Sequence, residues 1–287
     1  MRYSVGLPVD HVTRPGEFVT GDAVAEMAGA VEAAGLDAVY VTDHPAPDDR
    51  WLAGGGHHAQ EPLIALAFAA AATTKVLLHT HVYVAAYRNP FLAAKSVATL
   101  QNLSGGRVIL GVAAGYLRPE FGALGVNFED RNDLLDETVA VMRRAWTEEG
   151  VAVETDGYRA RGVTQLPRPT PIPIWIGGNS TRAMRRAVET GDGWSPFPNP
   201  PIAASRVKTP AITNLDELAA RLESARSYAV EIGRTDPLTV CFAAFNRDDD
   251  HATYADLGIE WLAVQFDGCT TRSEWIGRMQ AFAATVA

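Results

Sequence analysis

Cysteine is scarce in this chain. Its 287 residues hold only Cys241 and Cys269, which do not form a CxxC pair. The fold therefore does not depend on disulfides, and a cytoplasmic protein is expected. Long apolar runs are also missing. The longest, 63–72, falls well short of the ~20 residues that a membrane-spanning helix needs. The first residues lack a signal-peptide core and lead straight into a strand pattern. Cationic surplus is absent too: 25 Lys and Arg face 34 Asp and Glu, a net charge of −9. That balance argues against nucleic acid or an anionic membrane as the main partner. No GxGxxG follows the first strand, which disfavours a dinucleotide-binding Rossmann fold. What is present is 47% hydrophobic residues, enough for a sizeable core and one domain over 1–287.

The pattern along the chain is repetitive. Apolar segments at 3–9, 38–42, 76–84, 108–112, 172–176, 193–197, 238–245 and 261–266 have strand character. Helical spacing follows at 22–35, 61–73, 89–103, 131–147, through Ala183, Met184 and Ala187 after a cap at Asn179 or Ser180, and at 216–232, 252–257 and 273–286. Several strands are apolar almost throughout, as strands covered on both faces are. Eight strand–helix pairs without a composition break predict an α/β (β/α)8 TIM barrel, with a doubly wound open sheet as the alternative. One small excursion interrupts the rhythm before strand five, where 148–171 suggests a hairpin around Asp156 and Gly157. Two loops, 46–60 and 196–212, are long enough to shape a pocket.

In a barrel, the chemistry gathers at the C-terminal ends of the strands. Strand five ends in Gly177, Gly178, Asn179, Ser180, Thr181 and Arg182. A strand that feeds two glycines into a capped helix aims free amides and the positive helix end at one spot, which suits a phosphate. Strand two ends in Asp43-His44-Pro45. His44 suits a general acid or base, and Asp43 suits either orienting it or accepting a hydrogen bond from a ligand ring. The alternative for this triplet is a plain turn. His79 and His81 alternate with Thr80 on strand three, with Tyr83 expected on the same face. Some metal-dependent barrel hydrolases use such a pair, with His44 and Asp267 available as further ligands. The strand continues beyond His81, so a packed histidine and a pocket-lining one are the preferred reading, with no metal. His57 and His58 receive no role. Trp51 is a candidate lid aromatic, and Arg88, Lys95 and Arg118 read as surface cations.

Taken in order, the motifs resemble the luciferase-like monooxygenase superfamily, in particular its branch dependent on the deazaflavin coenzyme F-420. The resemblance is carried by Asp43-His44-Pro45, by the segment ending at Asn89 and Pro90, by 104–112 with Gly115 and Tyr116, and by 167–178. It is strong over 3–197 and weak afterwards. It implies a tricyclic cofactor in the barrel mouth, coenzyme F-420 or alternatively FMN, with its phosphate on the strand-five turn. It implies a bulge at Thr80-His81-Val82 with a non-proline cis peptide backing the central ring, where His81 replaces the usual small residue. His44 and Asp43 are then the catalytic candidates. Asp43, His81, Val82, Ala114, Gly115, Gly177, Gly178, Asn179, Ser180, Thr181 and Arg182 are the cofactor-binding ones. The activity implied is an oxidoreductase moving a hydride to or from an unidentified small organic substrate. An FMN monooxygenase and a non-catalytic flavin-binding protein are the alternatives. A homodimer is implied as well. Sugar-phosphate dehydrogenases of this group carry an acid after the strand-four glycine. Here Tyr116 takes that place, a departure from the sugar-phosphate pattern.

Overall fold

Eight parallel strands close into a barrel in the computed structural model, which describes residues 1–155, 157–207, 209–246 and 249–287. In chain order the strands are β1 (Arg2–Gly6), β2 (Ala38–Val41), β3 (Leu77–Val84), β4 (Val108–Ala113), β5 (Val151–Glu154), β6 (Arg159–Val163), β7 (Ile174–Gly177), β8 (Gly193–Ser195), β9 (Thr239–Ala243) and β10 (Trp261–Val264). The barrel runs β1-β2-β3-β4-β7-β8-β9-β10, and β10 pairs back onto β1. β5 and β6 stand apart as an antiparallel hairpin, the predicted excursion. Asp156, in its turn, lies outside the described residues. Closure rules out the open-sheet alternative.

Strand alternation sorts the core into two layers. On β7, Trp175 points into the barrel, where it joins Ala38, Tyr40, Ile109, Cys241 and Trp261. Its neighbours Ile174 and Ile176 point outward into the layer beneath the helices. The Trp175 and Trp261 rings meet edge to face, 5.3 Å between centroids, and fill the lower barrel. The upper barrel is left as a mouth. In the outer layer, the helix Arg131–Thr147 buries Leu135, Val139, Met142 and Trp146, the face its spacing predicts. Each such side chain contributes roughly 1.5–3 kcal/mol through burial.

The structure differs from the sequence expectation in four places that matter for the mouth. β1 stops at Gly6 rather than at residue 9. The loop 46–60 contains a short helix, Asp49–Ala53, whose start is capped by the Asp48 carboxylate. β8 ends at Ser195, because Pro196 has no N–H to continue a ladder. The loop 196–212 holds the helix Pro201–Val207 and an antiparallel bridge between Asn199 and Ile212. Among the described residues, no helix is long and apolar enough to cross a membrane.

Candidate functional site

A cavity of about 490 Å³ opens at the C-terminal ends of the barrel strands. Its wall brings together Asp43, His44, His81, Val82, Ala114, Gly115, Gly177, Gly178, Ser180 and Arg182. Asn179 and Thr181, the other two expected cofactor residues, have no place in that wall. The Asn179 side chain is fully buried and donates to the carbonyls of Phe197 and Pro210 while accepting from the Phe197 amide. It ties the strand-five turn to the loop 196–212. Thr181 faces a groove outside the mouth.

At one end of the mouth lies the glycine turn. The Ser180 hydroxyl caps the helix Thr181–Thr190 by accepting from the Ala183 amide at 3.1 Å. The amides of Thr181 and Arg182 start that helix and have no acceptor within it. Gly178 sits at φ +121°, a conformation other residues rarely adopt. A Cβ on Gly177 would stand 2.9 Å from Cγ1 of Val82. The Gly178 amide donates to the Ser195 carbonyl at 3.1 Å, so the amides left open at the turn are those of Thr181 and Arg182, with no side chain on the two glycines before them. Two further arginines, Arg131 and Arg186, and Asn132 border the same end. Arg186 is buried and ion-paired to Asp136, which also accepts from Arg182. Burial raises the Asp136 carboxyl pKa, but these two guanidinium groups outweigh it and hold the carboxyl below its usual range.

The opposite end is built around His44, which is 9% exposed. Its Nδ1 faces the buried carboxylate of Glu120 at 3.4 Å. Glu120 is itself held by the Ala46 amide at 3.3 Å. A carboxylate on Nδ1 fixes the proton there and leaves Nε2 as the free base. The Tyr116 hydroxyl lies 3.3 Å from that Nε2 and is placed to donate to it. Burial, with the Glu120 charge, pushes the Tyr116 phenol up to about 12, so it stays a donor. Trp51 and His57 close over the imidazole with ring centroids 4.4 and 4.9 Å away. Trp51, the candidate lid aromatic, packs on His44 but is not among the residues that line the cavity. His57, given no role from sequence, lines the wall.

Asp43 has a different part from its neighbour. Its carboxylate is 3% exposed residue-wide and fully engaged. It accepts from Arg88 at 2.5 and 2.9 Å and from the Val84 amide at 2.8 Å. It does not meet His44. Arg88, read from sequence as a surface cation, is instead a half-buried partner that also lies 3.9 Å from the Tyr83 ring centroid. Burial disfavours the guanidinium charge, but Asp43 outweighs burial and raises its pKa. Together these groups clamp the end of β3.

That clamp lies just beyond the floor. The peptide between His81 and Val82 is cis, at the segment the resemblance points to. The register with β4 jumps there from Thr80 to Tyr83. His81 and Val82 both face the mouth in consequence, while Tyr83 turns to the outer layer rather than staying beside the histidines. Burial lowers the His81 imidazole to about 4, so it is neutral at physiological pH. His79 lies deeper, hydrogen-bonded at 3.0 Å to Ser4 and packed 4.9 Å from the Trp175 ring. Burial, then His81, pushes it well below its ordinary value. One histidine is packed and the other lines the pocket. Among the described residues, no three His, Cys, Asp or Glu side chains are grouped to hold a metal ion.

Sequence reasoning missed Glu120, Tyr116 as a partner of His44, His57, Arg88, Arg131 and Arg186. Only Tyr116 carried a usable signal, since it directly follows the strand-four glycine.

Comparison with known proteins follows the same lines. The profile of the luciferase-like monooxygenase family matches residues 1–262. An F420-dependent glucose-6-phosphate dehydrogenase from Intrasporangium calvum is 38% identical over 170 residues, 57% of this chain and 50% of that protein. One from Kineococcus radiotolerans is 35% identical over 183 residues, 62% of this chain and 52% of that protein. The chain therefore spans about half the length of these curated relatives. Among solved structures, the monooxygenase RslO1 from Streptomyces bottropensis superposes with a TM-score of 0.74 at 19% identity, over 99% of this chain and 98% of that one. The coenzyme F420 dependent tetrahydromethanopterin reductase from Methanopyrus kandleri gives 0.71 at 14% identity, over 99% of both chains. These two likenesses show the fold. The barrel, the glycine turn after β7 and the match over nearly the whole length make this chain a member of the luciferase-like monooxygenase family.

Proposed function

We propose that the protein is an oxidoreductase that uses coenzyme F-420 to move a hydride to or from a small organic substrate bearing a hydroxyl or carbonyl group. The single observation that carries this reading is the arrangement of His44, with Glu120 on one ring nitrogen and a proton donor on the other, facing an anion-binding turn across one cavity. The relatives named as F420-dependent dehydrogenases support the cofactor. The residues present fit the group: a helix start with open amides, behind two glycines where a Cβ would press on Val82 or Ala183, suits its phosphate, and a neutral floor at His81 and Val82 suits an uncharged ring. A bound deazaflavin supplies a ring carbon that exchanges a hydride.

The chain's own residues supply the rest. The amides of Thr181 and Arg182, framed by Gly177, Gly178 and the Ser180 cap, would hold the phosphate, with Arg131 beside them. Asn179 holds the turn rather than the ligand. His81 and Val82 would back the ring. Asp43, with Arg88, fixes the end of β3 that carries them. A substrate hydroxyl that displaces the Tyr116 hydroxyl from His44 Nε2 gives its proton to that nitrogen, and Glu120 stabilises the resulting imidazolium. Trp51 and His57 keep water from that proton. An active pocket of this kind in a cytoplasmic homodimer is the full reading. Exposed Ile64, Phe68, Leu92 and Leu103 on two neighbouring helices support the self-association.

Titration of the purified protein with coenzyme F-420 and with FMN, followed by fluorescence, tests the cofactor. Tight F-420 binding and its reduction by one of a panel of alcohols or sugar phosphates is expected. FMN binding with oxygen consumption would overturn the reading in favour of a monooxygenase. Binding without turnover by any tested substrate, unchanged in His44→Ala, would favour a carrier protein.

A further inference from the structure

A groove runs down the flank of the barrel between the helices Arg131–Thr147 and Thr181–Thr190. Its walls carry five guanidinium groups, from Arg143, Arg144, Arg182, Arg185 and Arg186, against the carboxylates of Asp136 and Glu189. Arg182 and Arg186 line both this groove and the mouth, so the two join at the phosphate end. The whole chain carries a net charge of −9. A local surplus of arginine at one edge of the mouth is therefore a matter of placement, not of composition.

The arginines are not all spent on protein partners. Arg182 and Arg186 share Asp136, and Arg182 also takes Asp133. Arg143 bonds to Asp192 and to the Thr190 carbonyl, yet its Nε is buried without a hydrogen-bond partner. Arg185 lies 5.0 Å from the Tyr228 ring centroid, and among the described residues no carboxylate pairs with it. Arg144 is held by Glu148 and the Ala152 carbonyl, so the guanidinium groups not wholly spent on protein acceptors are those of Arg185 and Arg143, along a groove that starts where a bound phosphate would end.

We propose that this groove holds the carboxylate-bearing tail of the deazaflavin cofactor, an inference that rests on the cofactor reading above. Coenzyme F-420 continues beyond its phosphate into a chain of glutamate residues. FMN stops at the phosphate. The helix face from Arg182 to Glu189 spans on the order of 10 Å, about the reach of three extended residues. Successive tail carboxylates would meet Arg182, then Arg185, then Arg143. Each pair is exposed and individually weak, so the site works through several charges at once and is sensitive to salt. It also gives the protein a reason to prefer the deazaflavin over FMN that the mouth alone does not supply.

The test compares coenzyme F-420 carrying several glutamates with its tail-less phospholactate form and with FMN. Each is titrated by fluorescence into wild type and into the Arg143→Ala, Arg185→Ala double variant, at low and high salt. Wild type should bind the long-tailed form about ten-fold more tightly than the tail-less form at low salt. That advantage should vanish in the double variant and in 0.5 M salt, while affinity for the tail-less form stays the same in both proteins. Equal affinity for both forms in wild type, or an advantage that survives in the variant, would overturn the groove and leave the cofactor reading standing. Binding of FMN with no binding of either deazaflavin form would overturn both. If the double variant does not fold, the salt and tail-length comparison in wild type and the exposed single change Arg185→Gln decide the matter.

Discussion

At the phosphate end of the mouth, six consecutive residues from Gly177 to Arg182 supply the turn, its cap and the leading amides, and they do so mainly through backbone. The His44 end is assembled from side chains 76 positions apart in sequence, His44 on the loop after β2 and Glu120 in the short helix Arg118–Ala123 that follows β4. A site made of backbone spreads its binding over several amides, so no one side chain is decisive. A site made of side chains depends on each member: under the proposed function, His44 would serve as a base only while Glu120 fixes its proton and Trp51 and His57 cover it.

The comparison predicts its largest effect at His44. His44→Ala should lower hydride transfer about 10²- to 10⁴-fold, read as the rate of deazaflavin reduction, while cofactor affinity stays within about two-fold. A fall in affinity of the same size as the fall in rate would mean that the two ends are not separable. Glu120→Gln should keep the shape of the site and cost less, about ten- to a hundred-fold in rate. Its pH–rate profile should shift while the Kd for the cofactor does not, which distinguishes a positioning role from general damage to the fold.

Asp43 sharpens the contrast, because it is next to His44 in sequence and lines the same cavity, yet its carboxylate is bonded to Arg88 and the Val84 amide. Asp43→Ala would leave the half-buried Arg88 guanidinium with only the more exposed Glu61 carboxylate, 3.7 Å away. Loss of one partner of a buried ion pair costs about 3–5 kcal/mol, and urea denaturation should register a destabilisation in that range. The double change Asp43→Ala, Arg88→Met should recover part of it. If Asp43→Ala leaves stability unaltered but abolishes cofactor binding, the carboxylate serves the ligand, as the sequence pattern suggests, rather than β3.

This difference also decides how much could be read from the sequence. The barrel was legible because its strands and helices are written as local periodicity. The glycine turn was legible because its parts are consecutive: Ile174, Trp175 and Ile176 as a strand, two glycines, then Ser180 as a cap. Glu120 gave no signal, since nothing in its surroundings marks it until the loop after β4 folds back over His44. Arg88 looked like any exposed arginine for the same reason. On β3 the sequence even pointed the wrong way. A strict alternation puts Tyr83 beside His79 and His81, whereas the bulge at His81 and Val82 shifts it to the outer layer.

Between the two ends, the floor responds to pH. Burial lowers His81 to about 4 from an ordinary value of 6.5, and the unfolded chain keeps the ordinary value. Below pH 6.5 the unfolded state takes up a proton that the folded state refuses. Stability is therefore whole above about pH 6.5 and is lost as pH falls toward 4. Because the ring borders an open mouth, the loss from His81 is about 2 kcal/mol rather than the full conversion of its shift. Urea midpoints between pH 7 and pH 4.5 should fall in wild type and fall less in His81→Asn. An equal slope in both proteins would place the titrating group elsewhere.

The smallest effect is expected back at the turn. Ser180→Ala removes the hydroxyl that caps the helix Thr181–Thr190. Such a loss costs about 1 kcal/mol of stability and leaves the amides of Thr181 and Arg182 where they are. Cofactor affinity should therefore drop no more than about five-fold, equivalent to that same ~1 kcal/mol. Gly178→Ala is the more telling partner variant. It forces a Cβ onto a backbone at φ +121°, with that Cβ 3.2 Å from the Ala183 Cβ. The turn must move to relieve it, and the amides move with it. If Gly178→Ala weakens phosphate-bearing ligands more than Ser180→Ala does, the backbone is the binding element. If the order is reversed, the serine hydroxyl touches the phosphate directly, and this end of the mouth depends on a side chain just as the His44 end does.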